Sequence, residues 1–314
     1  MADLVSVVIP TRGRPELLER ALRSALAQTH RPIEIVVVVD GPDAETVALL
    51  RSMAEDRIRM IENPTPLGGP AARNVGIRAA RGEWIALLDD DDEWLPAKLE
   101  RQLALLASVE QPAVASCRII TRTPHAEWVG PRRGPREGEH LSDYLFRPRL
   151  PFARGARLQT SALFVPRQIA LDVPWDESLR RFQDFDWMLR AAATGIRFVI
   201  VPEALSVWYF REERPSIGTD HARDWRQALE WIDERRHLVT KRAYARWVLG
   251  RVGGLAAAAR DRPQMKQLWR TARANGRPGL IDVLQFAFHV LSSARLPRAL
   301  QARLATARRA RGAE

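Results

Sequence analysis

The chain has 314 residues, 46% of them apolar and 28% charged, the composition of a folded protein with a sizeable core and room for one large domain and an appendage. Its single cysteine, Cys117, excludes an internal disulfide and suits a reducing cytosol, and no run reaches the roughly 18–20 unbroken apolar residues of a membrane-spanning helix. The net charge of +11 sits in residues 221–314 while residues 1–220 are close to neutral, a split that suggests two jobs.

In chain order, residues 5–9 read as a strand and 15–28 as a helix with Leu17, Leu18, Ala21, Leu22, Ala25 and Leu26 on one face. Pro15 suits its first turn, where a missing N–H is harmless. The β-branched run 35–39 predicts a strand covered on both faces. A helix over 44–55, a strand over 58–61, a Pro/Gly-rich loop over 63–70 and a helix over 71–80 follow. Next come a strand over 84–88, four aspartates, a helix over 95–109 and a strand over 114–120. Such alternation predicts an α/β domain with a mainly parallel central sheet flanked by helices. Residues 123–155 dissolve into Pro, Gly and Arg and read as a long functional loop. A strand over 158–165 and a helix over 184–193 complete the first domain, 1–220. Residues 221–314 read as a basic helical region with helices over 225–238, 243–259, 265–274 and 280–292.

Ligands of parallel sheets gather beyond the carboxyl ends of the strands. Thr11 and Arg12 follow the first strand, Asp40 the second, and Asp89, Asp90, Asp91 and Asp92 the fourth, so three strand ends bring polar groups to one edge. Four adjacent carboxylates repel one another unless a cation relieves them. Mg²⁺ or Mn²⁺, with its taste for carboxylate, water and phosphate oxygen, is the expected cofactor, and an Asp-x-Asp spacing lets one carboxylate reach it. One of the aspartates capping the next helix is the plainer alternative, for which a single carboxylate would suffice.

Four fragments, VSVVIPTRGRPELLERALRSALAQ, EIVVVVDGPD, LGGPAARNVGIRAARGEWIALLDDDDEWLPAKL and PWDESLRRFQDFDWMLRAAATG, together resemble the family 2 glycosyltransferases in order and spacing over about residues 4–215. The resemblance implies a GT-A fold and transfer of a sugar from a nucleotide-sugar to an acceptor hydroxyl with inversion. It implies that Thr11 and Arg12 lie beside the nucleotide, that Asp40 binds base or ribose with Asp43 nearby, and that Arg73 lines the donor pocket. Asp89 and Asp91 match the two ends of the family's Asp-x-Asp motif, which implies Asp91 as the direct metal ligand, Asp89 and Asp90 on the donor side and Asp92 in support. Asp184 takes the place of the family's general base, with Gln183 where a Glu is usual and Asp186 structural. A helix N-terminus there is expected to favour the ionised form. Arg211 or Arg214 would meet the diphosphate, and His221 reads as a surface histidine.

The implied partners are a nucleotide-sugar and a glycan or lipid-linked acceptor in cell-surface polysaccharide or glycolipid assembly, with the enzyme in the cytoplasm. Two readings of the tail stand side by side: a basic amphipathic element on the inner face of a membrane, or a helical cap with solvated arginines. Nucleic acid is not an expected partner, because no recognition motif accompanies the charge. Among other functions, a nucleotidyltransferase would need more glycine than Thr11-Arg12-Gly13-Arg14 offers, and a non-catalytic sugar-nucleotide-binding relic fits poorly with an intact set of Asp40, Asp89, Asp91 and Asp184.

Overall fold

A computed structural model describes residues 3–110, 112–147, 158–210 and 224–293. They divide into two compact units, one of residues 3–145 with 158–210 and the other of 146–147 with 224–293.

The first unit is built on one nine-stranded sheet. Its elements are β1 (Val5–Thr11), α1 (Pro15–Leu26), β2 (Ile33–Val39), α2 (Ala44–Met53), β3 (Ile58–Glu62), α3 (Gly69–Ala79), β4 (Trp84–Leu87), β5 (Glu93–Trp94), α4 (Lys98–Ala107), β6 (Ala113–Arg122), β7 (Glu127–Gly130), α5 (Leu141–Leu145), β8 (Phe164–Pro166), α6 (Arg167–Asp172), α7 (Gln183–Ala193) and β9 (Arg197–Tyr209). The order β3-β2-β1-β4 is parallel throughout; β8 then runs antiparallel between β4 and β6, and β6 pairs β9 in parallel. The α/β sheet with helices on its faces is therefore present, with antiparallel strands on the far side of β4.

Alternation along the first two strands explains their unbroken apolar text. Val5, Val7, Ile9, Ile35, Val37 and Val39 face a core shared with Leu18 and Leu22 of α1 and Leu99 and Leu106 of α4. The intervening Val36 and Val38 face Ala72 of α3 on the other side. Helix α3 lies so close that a Cβ on Gly76 would collide with Val8 Cγ1, and only glycine permits that approach. The chain leaves β1 toward β2 and β3, then returns to place β4 on β1's other side. At such a reversal the ligands of α/β sheets sit beyond the C-terminal strand ends, and there the four aspartates follow β4.

Several expectations change. The helix foreseen from residue 95 begins at Lys98, because Glu93–Trp94 is taken as a strand by Val207 and Ser206 of β9. Part of the presumed 123–155 loop is ordered: β7 pairs β6, and α5 follows. The 158–165 strand shrinks to β8, preceded by a single 3₁₀ turn, Thr160–Ala162. Strand β9 lies in text where no strand was marked. Pro202 and Glu203 interrupt its alternation, and the register against β6 shifts there, from Val201 opposite Cys117 to Ala204 opposite Arg118.

The second unit is helical, with α8 (Trp225–Glu234), α9 (Lys241–Arg246), a π-helical stretch (Trp247–Val252), α10 (Gly253–Ala258), α11 (Arg262–Asn275) and α12 (Leu280–Ser293). Its core is aromatic. Trp247 lies 4.7 Å from Trp231 and 4.6 Å from Phe146, ring centre to ring centre. The Trp247 indole N–H donates to Ala228 O at 2.8 Å, so the ring is buried without an orphaned donor. Among the described residues no helix is long and apolar enough to cross a membrane.

Candidate active site

The acidic turn after β4 is held from three directions. From the loop after β1, the Arg14 guanidinium pairs with Asp90 at 2.5 Å and with Asp91 at 3.2 Å, and Thr11 Oγ1 donates to Asp90 Oδ2 at 2.7 Å. From α1, Arg20 Nη2 donates to the Asp91 carbonyl at 2.5 Å while its guanidinium lies 3.9 Å over the Tyr209 ring at the end of β9. From the turn before β8, Ser161 Oγ accepts the Asp89 N–H at 3.1 Å and donates to Asp92 Oδ2 in a very short contact, joined by Gln159 Nε2 at 3.1 Å. Ser161 is itself fixed, since Trp94 Nε1 donates to its carbonyl at 2.6 Å and Gln102 Nε2 donates to Ala162 O at 2.8 Å.

These contacts divide the four aspartates. Asp90 and Asp92 are buried, whereas the Asp91 side chain is 45% exposed and that of Asp89 26%. Of the four, Asp89 and Asp91 keep side-chain surface open to solvent. Asp90, expected on the donor side, is instead a strut: it has no accessible surface, and Thr11 and Arg14 hold its carboxylate from within. Thr11 is likewise buried, with its hydroxyl committed to Asp90.

Electrostatics fit a cluster short of positive charge. Burial pushes the Asp90 carboxyl up to about 6, against the pull of Arg14. Lost hydration and repulsion from Asp89 raise Asp91. Asp92 is raised well above the usual range by burial and by its neighbours Asp91 and Asp89, and its Oδ1 is a buried oxygen with no hydrogen-bond partner. The described residues contain no group of three or more His, Cys, Asp or Glu side chains arranged around a metal position. A Mg²⁺ or Mn²⁺ that takes one or two oxygens from Asp91 and Asp89, and the rest from a diphosphate and water, fits this donor set.

Arg73 connects the acidic turn to α7. Buried on α3, it donates from Nη2 to Asp89 Oδ1 at 2.5 Å and from Nη1 to Gln183 Oε1 at 3.1 Å, and its guanidinium lies 4.9 Å over the Trp175 ring. Its neighbour Asn74 clamps the segment before α7, accepting the Trp175 N–H and donating to Trp175 O and Glu177 Oε1, each at 2.9 Å. Trp175 then stacks on Trp187 of α7 at 5.6 Å. Phe182, immediately before α7, has φ of 61°, strained for a bulky side chain, and from there the chain delivers Gln183 and Asp184. The Asp184 carboxyl feels both Arg73 and Asp89. Burial raises its pKa in spite of backbone N–H donors at the helix start, so the expected acidifying effect of the helix terminus is outweighed. Asp186 is buried and paired with Arg190 at 2.8 Å.

Asp40 sits at the same edge, but its oxygens face the 63–68 loop. Oδ1 accepts from Asn63 Nδ2 and Leu67 N at 2.9 Å, and Oδ2 accepts from Gly68 N at 2.8 Å. Asp43 caps α2 through Thr46 N and accepts Gly13 N at 2.6 Å, tying the loop after β1 to that helix. Arg12 is exposed. Trp84 stacks on Phe164 at 5.3 Å, and Trp94 is buried, so both pack. Arg211, Arg214 and His221 lie outside the described residues. Sequence reasoning passed over Arg14, Arg20 and Asn74, although all three stand in fragments it quoted. It had no signal for Gln159 or Ser161, which come from a turn about 70 positions downstream.

A mixed sheet with acidic residues at its switch point, linked by an arginine to the glutamine that opens a helix, agrees with a GT-A glycosyltransferase fold. The sequence profile described as Glycosyl transferase family 2 matches residues 6–165. The amylovoran biosynthesis glycosyltransferase AmsB of Erwinia amylovora is 27% identical over 253 residues, spanning 76% of this chain and 82% of its own. The Escherichia coli protein WfaP, a UDP-Glc:α-D-GlcNAc-diphosphoundecaprenol β-1,3-glucosyltransferase, is 33% identical over 101 residues, 32% of this chain and 40% of its own. The crystal structure of S. aureus TarS in complex with UDP-GlcNAc superposes with a TM-score of 0.62 at 15% identity, over 92% of this chain and 91% of that one, a likeness of fold. The chain belongs to glycosyltransferase family 2 and is a glycosyltransferase.

Proposed function

We propose that the enzyme transfers a sugar, with inversion, from a nucleoside-diphosphate sugar to a hydroxyl of a glycan or lipid-linked acceptor in cell-surface polysaccharide or glycolipid assembly. The observation that carries this reading is Arg73, which bridges Asp89 at 2.5 Å and Gln183 at 3.1 Å and so joins the donor-side acid cluster to the first residue of α7, next to Asp184. The nucleoside would lie against the ends of β1 and β2, beside Arg12 and over the loop that Asp40 anchors. Asp89 and Arg73 would orient ribose and sugar. Asp184 would take the proton from the acceptor hydroxyl as its oxygen attacks the anomeric carbon from the side opposite the diphosphate. Attack from that side inverts the centre. A Mg²⁺ or Mn²⁺ held by Asp91 would supply charge neutralisation for the departing diphosphate.

The acceptor class takes support from WfaP, whose name specifies a diphosphoundecaprenol-linked substrate. A lipid-linked acceptor would draw the enzyme to the cytoplasmic face of a membrane as a peripheral protein. The test is a thermal-shift and hydrolysis panel of UDP-, GDP- and dTDP-sugars with and without Mn²⁺. One donor should stabilise the protein and be hydrolysed only with metal, and Asp91→Ala should abolish both responses. Metal-independent hydrolysis, or an Asp91→Ala variant that behaves as wild type, would overturn the metal assignment. Binding without hydrolysis or transfer would favour a non-catalytic relic.

A further inference from the structure

Helix α12 leaves an apolar stripe bare. Leu280, Leu284, Phe288 and Leu291 recur at spacings that align them on one face, and their exposures are 75%, 59%, 54% and 70%; Ile281, at 48%, widens the stripe. The opposite face packs within the second unit. Phe286 is buried and stacks on Trp269 at 6.1 Å, and it fills the space that a Cβ on Gly253 would need. Asp282, 3% exposed, turns inward to within 3.5 Å of Arg246 and accepts Gly279 N at 2.7 Å. It is the helix's single acidic residue, so the stripe carries no carboxylate.

From this we infer that α12 is a docking surface for an anionic lipid bilayer. The inference deepens the peripheral-membrane reading above by naming the surface and the lipid chemistry. A 14-residue helix is about 21 Å long, too short to span a bilayer, but its length and one-sided exposure suit lying in the plane of the headgroups. Charge selects the partner. Residues 283–313 contain six arginines and no aspartate or glutamate, while the catalytic residues 1–220 are near neutral. An apolar stripe followed in the sequence by such an arginine-rich run is attracted to acidic headgroups and then buries its leucines among acyl chains. A protein partner would need matching carboxylates, and a second copy of this chain would bring like charge against like.

The test is sedimentation of the full chain with vesicles of phosphatidylcholine alone or with about 30 mol% phosphatidylglycerol. Wild type should bind the acidic vesicles at least about tenfold more tightly than the neutral ones, and less so as salt rises. Leu284→Asp/Phe288→Asp should lose about tenfold or more with an unchanged melting midpoint, because both positions face solvent. A second variant, Leu280→Ser/Leu291→Ser, keeps the question open to refutation should the first fold poorly. Equal binding by the variants and wild type, equal binding to both vesicle types, or wild type left in the supernatant would each overturn the inference. So would concentration-dependent dimerisation that the variants abolish, since a second copy would then be the occupant. Nucleotide-sugar hydrolysis without vesicles should persist in both variants. Absence of hydrolysis in wild type would count against the catalytic reading and leave the lipid result standing.

Discussion

At the scale of single residues, the site depends on which carboxylates stay wet. Asp89 and Asp91 keep exposed surface, while Asp90 and Asp92 hold the turn in shape. Burial raises the pKa of Asp184, the proposed base, which strengthens its attraction for a proton, while backbone N–H groups at the helix start and then Arg73 oppose the rise. Asp184→Asn should lower kcat by about 10²–10⁴-fold with donor affinity nearly unchanged, since the amide keeps the shape but accepts no proton. A steady-state assay that finds kcat within a few-fold of wild type would remove Asp184 from the base role. The acid limb of kcat/KM should fall above the ordinary aspartate value of about 4, because a base with a raised pKa is already protonated there. A limb at or below that value would contradict the burial seen here.

Among elements, the short turn at Thr160–Ala162 matters out of proportion to its length. Through Ser161 it grips the Asp89 amide and the Asp92 carboxylate together, and α4 and β5 grip the turn in their turn through Gln102 and Trp94. Ser161→Ala would remove both contacts and leave Asp92 with one fewer donor, at about 1–3 kcal/mol of stability. The acidic turn would loosen, so donor affinity should fall by about tenfold, by a margin that stability alone does not explain. Calorimetric donor titration of the folded variant would show it, and unchanged affinity would mean that Ser161 only supports the fold.

At the scale of the whole molecule, a fully buried cation is the unusual feature. Lys98 of α4 has no accessible surface; its ammonium meets Gln102 Oε1 at 2.8 Å and lies 3.9 Å over the Trp94 ring. Loss of hydration brings its pKa down to about 8 from an ordinary 10.5, so between those values the unfolded chain holds a proton that the folded chain has released. Stability contributed by this group therefore rises with pH across that window, by about 3 kcal/mol in total. Cys117, pushed up to about 11 by burial, acts in the opposite sense, so the comparison must be between chains that share it. Urea unfolding of wild type and Lys98→Met at pH about 7.5 and about 10 should show the rise in wild type alone. A parallel rise in both chains would mean that Lys98 is hydrated in the folded state.

What the sequence determined by itself was local or repeated. Unbroken β-branched runs at 35–39 declared a strand covered on both faces, helical spacing declared α1, and strand-end positions marked Thr11, Arg12, Asp40 and Asp89 to Asp92 as the polar groups to watch, while Asp184 was singled out by the family resemblance. Such patterns are written in near neighbours, where periodicity suffices. The tertiary structure decided what depends on residues far apart in the chain. It buried Asp90 behind Thr11 and Arg14, brought Ser161 to Asp92, set Arg73 between Asp89 and Gln183, and made a strand of a segment interrupted by Pro202. Whether a carboxylate binds a ligand or braces a turn follows from what surrounds it once water is excluded, and only the packed sheet and helices supply those surroundings.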